Sequence, residues 1–382
     1  MKELFNDKKK LIIIGGISLV SILLLIIIII FIMSIFKRFD YQEIEKKLVD
    51  GAKSYVQKHQ DIIPPEEGEF IVSTESLVSE KLIKELEKIS KDKSCTGEVI
   101  VKYENDNLRF IPQLTCDNYT TTSLKDTILS REEVLDELSD EEIIDPIKQS
   151  GLYKHMQNED EVLIYRGKKT INNYVKFLDY NWRIFKMDDE RIFIILADTL
   201  NPKELFQFDD RYNEEIKAPR GKNSFQTSKI YQTLMDVYDD SFKDHHAYLK
   251  TMSACVNQRS QVDERKDGYI ECKDLFDTPI ALLSVYDYMN ASLDKNCNKT
   301  SSKESRSCSN DNYLANATNK WWLLNGAYEN SYDVYYVGIN GAIDTTYAND
   351  KKDIRMVLAI PSDVIYKDGI GTSDKPFTFY EY

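Results

Sequence analysis

The sequence predicts an α+β chain: an N-terminal transmembrane helix, a small α+β domain and a larger β-rich C-terminal domain. Three observations predict it. Residues 11–36 contain no charge; two stretches of helical periodicity and a strand pair follow; and from Glu161 onward short alternating strands replace the helical period. The boundaries are a cytoplasmic tail over 1–10, the membrane helix over 11–36, a stalk domain over 37–122, an acidic linker over 123–160 and the C-terminal domain over 161–382.

As a helix, residues 11–36 would reach ~39 Å at ~1.5 Å per residue, enough for a ~30 Å hydrocarbon core. The run is longer than the apolar part of a cleaved signal and ends in Lys37-Arg38 without a small-residue cleavage site, so it reads as an uncleaved anchor. Lys2, Lys8, Lys9 and Lys10 before the span place the N-terminus in the cytoplasm and the domains after it outside. All six cysteines, Cys95, Cys116, Cys255, Cys272, Cys297 and Cys308, lie beyond the span, an even number suited to three disulfides in an oxidising space. The expected localisation is therefore a single-pass cell-membrane protein. The chain's net charge is −14, and with four Lys against Glu3 and Asp7 before the span, roughly −16 lies beyond it; no basic patch with interleaved aromatics appears, which disfavours nucleic acid.

In residues 40–59, Tyr41, Ile44, Leu48, Ala52, Tyr55 and Val56 recur at helical spacing until Pro64-Pro65 stops the run. Residues 73–90 repeat the pattern through Leu77, Leu82, Ile83, Leu86 and Ile89 behind a Ser/Thr cluster suited to an N-cap. Residues 98–103 and 108–114 alternate as two strands around Asn105-Asp106, a pair that tolerates a tight hairpin turn. Pairing Glu104 with Asn107 sets Cys95 opposite Cys116 on one face, where a bridge closes the hairpin's open end.

The helices and disulfide-closed antiparallel unit look like a pilin or pseudopilin module. Ala52-Lys53-Ser54-Tyr55-Val56, Ser76-Leu77-Val78 and the run from Cys95 to Val101 resemble N-terminal domains of single-pass surface proteins in low-GC Gram-positive bacteria. The Gly15-Gly16 pair lacks the Glu of a pilin processing site, which argues against assembly into a fibre.

Residues 131–145 carry eight acids and one Arg without the D-x-D-x-D-G spacing of an EF-hand, and read as a solvated linker. Residues 161–197 give three or four strands, with Trp182 as a core anchor beside Tyr174 and Phe177. Residues 224–252 are helical in period. Bridging Cys255 to Cys272 and Cys297 to Cys308 closes loops of roughly 18 and 12 residues, ordering segments that bury little themselves. Residues 280–289 read as a core strand running into a helix. Residues 334–343 form a hairpin with Asn340-Gly341 as its turn, and residues 354–360 a buried strand.

The ordered set NNYV…WRI, LLSVYDY, NYL…WWLL, YYVGINGAI, IRMVLAI and GIGTSDKPF, over residues 165–379, looks like an uncharacterised domain at the ends of bacterial surface proteins. That domain resembles the C-type-lectin-like fold of formylglycine-generating enzymes. The resemblance implies a core built from Trp321, Trp322 and Arg355. Met356 stands where the family usually has Pro, and Leu324-Asn325 where Arg-Ser is common. The copper-dependent oxidase chemistry does not carry over, because no Cys follows Cys308. Glu329, Asn330, Asp333 and Asp344 match no calcium motif of true lectins, and His245-His246 lack the spacing of helical zinc ligands. No metal, cofactor or catalytic set is expected.

Tyr328, Tyr332, Tyr335, Tyr336 and Tyr347 cluster around the hairpin, where exposed tyrosines would form a low-entropy platform for an extracellular glycan or protein. The expected function is cell-surface recognition or adhesion without catalysis. The alternatives are a pseudopilin-like component of a surface or secretion apparatus, and an envelope enzyme of unknown reaction.

Overall fold

A computed structural model describes residues 40–104, 107–136, 149–157, 160–201, 203–259, 272, 274–298, 300, 305–315 and 317–382. They fall into two compact units: residues up to 103 with 112–121, and residues 104–111 with 122–382. The fold class expected from the sequence is corrected here. Strands dominate the described chain, because its alternating runs pair with partners far away in sequence. The 11–36 span lies outside the described residues, and among the described residues no helix is long and apolar enough to cross a membrane. The long helix of the first unit, Tyr41–Lys58, is apolar on one face only and carries Glu43, Lys46, Lys47, Asp50 and Lys53 elsewhere. The single-pass, N-in placement is corrected on the same ground.

In the first unit that helix buries Ile44, Leu48, Ala52 and Val56. It lies over an antiparallel sheet ordered Gly68–Ser73, Thr96–Glu104, Asn107–Cys116, Tyr119–Thr120. Leu48 reaches so close to Gly97 that a Cβ there would sit 3.1 Å from its Cδ1. Gly51 costs the helix about 1 kcal/mol relative to Ala, yet a Cβ would stand 2.9 Å from Ile83 Cγ2. The helix expected over 73–90 is two pieces, Thr74–Ser79 and Leu86–Ile89. Ser73 caps the first by accepting from the Ser76 amide, and Lys81 at φ 60° ends its run by turning the chain. The fully buried carboxylate of Glu45 accepts hydrogen bonds from the Tyr119 and Thr121 hydroxyls. Cys95 is bonded to Cys116, and the turn residues 105–106 lie outside the described residues.

In the second unit an eight-stranded sheet runs Ala281–Leu282, Met356–Pro361, Arg191–Leu196, Tyr180–Met187, Asp160–Arg166, Gly151–Gln157, Val134–Leu135, with Tyr174–Phe177 paired beside Tyr180–Met187. Strands distant in sequence lie side by side at its centre, as Ile194 opposite Leu358 shows. In the stretch expected to be an acidic linker, Leu124–Arg131 is a helix capped by Ser123, and Gly151–Gln157 belongs to this sheet. Residues 137–148 lie outside the described residues.

A second sheet, Trp321–Gly326, Asp333–Val337 and Ile343–Tyr347, supplies Trp321, Tyr335, Val337 and Ile343 to the core. Its last turn needs Gly341 at φ +75°, where a Cβ would also strike Ser309. Disulfides join Cys255 to Cys272 and Cys297 to Cys308. Between the sheets lies Arg355, fully buried, donating from Nε and Nη2 to the Leu196 carbonyl at 3.0 and 2.9 Å and from Nη1 to the Leu314 carbonyl at 2.8 Å. Its guanidinium stands 4.8 Å from the Trp321 ring centre.

The core can be tested by substitution and by alkali. Arg355→Ala strands those carbonyls and leaves a hole beside Trp321, so urea unfolding should show a loss on the order of 3–5 kcal/mol; a loss under about 1 kcal/mol would remove Arg355 from the centre of the fold. The second test uses alkali. Burial raises Tyr165, Tyr288 and Tyr313 well above the ordinary phenol value and Tyr248 to about 12. A raised folded pKa contributes stability that is complete below the unfolded value near ~10 and is lost as pH rises from there. The melting temperature should therefore fall above pH ~10, with part of the tyrosinate absorbance at 295 nm appearing only on unfolding; full ionisation in the folded protein would contradict the burial.

Candidate functional site

The expected tyrosine platform is dispersed. Tyr335 is buried in the core and Tyr336 lies against Trp322 and under the Lys352 ammonium, 4.8 Å from its ring centre. Tyr332 and Tyr347 form a ring pair at 5.8 Å with the Arg220 guanidinium 4.5 Å above Tyr347, while Tyr328 is exposed by itself. Around them, burial and the neighbouring Glu329, Asp350 and Glu215 raise Asp333 above the ordinary carboxylate range. Its carboxylate accepts from Asn330 Nδ2, whereas Asp344 accepts from the Tyr336 hydroxyl. Trp182, Trp321, Trp322 and Arg355 are all fully buried. Among the described residues the one group with metal-ligand proximity is Asp92, Cys95 and Cys116, and its two cysteines are joined in a disulfide.

A groove of about 1060 Å³ lies instead over one face of the eight-stranded sheet. The register shows how that face is built. Tyr153, Ile164, Lys186, Phe193 and Ala359 are successive cross-strand partners, forming one row over five strands. A row across the middle of a sheet ordinarily packs apolar groups, and this one carries a lysine. The cause is a β-bulge: Phe193 pairs with Lys186 while Ile194 pairs with Ile184, leaving Phe185 unpaired. The extra residue brings the consecutive Phe185 and Lys186 to the same groove, where simple alternation would separate them.

Three elements close round this floor. The helix Val285–Asn290 contributes Tyr286 and Asp287. Its cap Ser284 accepts from the Asp287 amide at 2.9 Å and donates to Asp287 Oδ2 at 2.7 Å, a reciprocal box that fixes the carboxylate. Lys186 Nζ then lies 3.6 Å from Asp287 Oδ1, 3.2 Å from Gln157 Oε1 and 4.5 Å from the Phe193 ring centre. Behind Asp287, the buried His155 imidazole and the Tyr286 hydroxyl share a hydrogen bond. The strand Met252–Cys255 and the Cys255–Cys272 bridge form the opposite wall. At the rim, Arg191 is held by Asp188 at 2.8 Å and lies over Phe193, while Asp160, Glu161, Asp189 and Glu190 complete the lining. Among the described residues six lining carboxylates thus face two cations, and both cations are already paired.

Sequence reasoning missed this groove. The signal was available as Lys186 between Phe185 and Met187 in the strand WRIFKM, but only the bulge shows which face it takes.

Residues 192–362 match a family described as a domain of unknown function, DUF6273. Neither the curated proteins nor the solved structures gave a match to this chain. The matched segment includes Phe193, the Met252–Cys255 wall and Asp287, whereas Lys186 and the Asp160-Glu161 rim precede it.

The box around Asp287 is testable. Ser284→Ala removes the helix cap and one donor to the carboxylate, so thermal or urea unfolding should register a loss of about 1 kcal/mol. An unchanged stability would mean that Asp287 is held by other groups.

Proposed function

We propose that residues 122–382 form a disulfide-braced recognition domain that binds its ligand in the groove without transforming it. The observation that carries this reading is the bulged sheet face, which lines an open groove with Phe185, Phe193 and Lys186 at a central position where core packing has no use for a charge. The reactive groups nearby already have partners: Ser284 is tied to Asp287, Lys186 to Asp287 and Gln157, and His155 to Tyr286. A lining with aromatic floor and charged rim suits reversible binding of an amphipathic ligand. The Tyr332–Tyr347 pair lies outside this lining.

Binding should be assayed with the full chain by fluorescence polarisation against labelled peptides and neutral oligosaccharides, for the wild type and Phe193→Ala. Truncating the floor should weaken the bound probe about tenfold or more, while circular dichroism reports the fold. Binding that is indifferent to Phe193 and to charge changes at the rim would move the site away from the groove.

A further inference from the structure

Resting on the groove as the binding surface, we infer that its occupant is an extended basic peptide segment, added as a strand to the Met252–Cys255 edge with its Lys or Arg side chains on the acidic rim. Charge complementarity supplies the first argument. Lys186 and Arg191 are neutralised by Asp287 and Asp188, whereas Asp160, Glu161 and Glu190 carry no ion pair among the described residues. Among the described residues the groove therefore offers uncompensated negative charge over an aromatic floor, which attracts a cation and repels a polyanion.

The second argument is backbone geometry. Met252–Cys255 and Leu275–Thr278 form a two-stranded ribbon, so among the described residues the first of them pairs along one side. Met252, Ser253, Ala254 and Cys255 all line the groove. Side chains alternate along a strand, so four consecutive lining residues mean that the strand presents its edge rather than a face. An edge of unpaired amides and carbonyls is a template for another extended chain. Main-chain pairing there would fix the peptide's direction, leaving alternate side chains to reach Phe193 and the rim carboxylates. The volume, about 1060 Å³, holds several residues rather than one side chain.

The test uses the full chain and four fluorescein-labelled probes: an alternating Lys-Val octapeptide, the same peptide N-methylated at alternate residues, an alternating Glu-Val octapeptide, and chitohexaose. The inference expects the Lys-Val peptide to bind, to weaken as salt rises, and to lose about tenfold or more on N-methylation and again in Glu161→Lys/Glu190→Lys. Glu-Val should fail to bind the wild type. Thermal melts and circular dichroism confirm that the double variant, changed at two exposed positions of the rim, keeps its fold. Equal binding of the N-methylated peptide overturns strand addition. Equal binding of Glu-Val, or Lys-Val binding unmoved by the rim reversal, overturns the basic class. If chitohexaose binds in a Phe193-dependent way and no peptide does, the peptide inference falls and the groove reading stands. If no probe responds to either the rim or the floor substitution, both fall together.

Discussion

The guanidinium of Arg355 is the constraint on which the second unit depends. It is fully buried, and among the described residues it donates to main-chain carbonyls, those of Leu196, Ala197 and Leu314, rather than to a carboxylate. Burial pulls it down to about 10, and the nearby Arg183 adds repulsion while Asp198 opposes it. A charge taken out of water at this depth costs several kcal/mol unless its donors are met. Those carbonyls belong to the end of the Arg191–Leu196 strand and to the segment before Trp321, so meeting them ties sequence-distant parts of the core to the strand that follows Arg355. Arg183 is held in a similar way, between the rings of Tyr174 and Tyr313 and bonded to Asn173 and to the Ile171 carbonyl.

The groove is the counterpart of that dense interior. One face of the central sheet is committed to the core through Trp182, Ile184 and Ile194. The bulge at Phe185 reverses the alternation on the other side, so Lys186 reaches a surface that the helix Val285–Asn290 and the Met252–Cys255 strand cover incompletely. The Ser284–Asp287 box supplies the counter-charge, so the lysine does not destabilise the strand that carries it. Strands and the helix Val285–Asn290 hold Phe185, Lys186, Phe193 and Asp287, which suits recognition by pre-arranged contacts, while Asp188, Asp189 and Glu190 lie in the turn between two of those strands.

Much of the element order was legible in the residues. The helical period over 40–59, the hairpin around Asn340-Gly341 and the apolar run of 354–360 correspond to described elements because each signal is local. The break within 73–90 was not legible, since Lys81 takes a left-handed conformation that Gly or Asn would ordinarily announce. The candidate tyrosines were chosen by clustering in sequence, and a strand divides such neighbours between faces: Tyr335 goes to the core and Tyr336 toward Trp322 and Lys352.

By itself the sequence determined the cysteine spacing, the acidic balance, the turn glycine and the periods of the separate elements, all of which act within a few residues of one another. Only the tertiary structure decided which strands are neighbours, that strands rather than a membrane-spanning helix characterise the described chain, and that one unpaired residue at a bulge gathers Phe185, Lys186, Phe193 and Asp287 round a groove. The reason is that pairing register joins residues far apart in the chain, and a one-residue shift in it exchanges the faces of everything beyond.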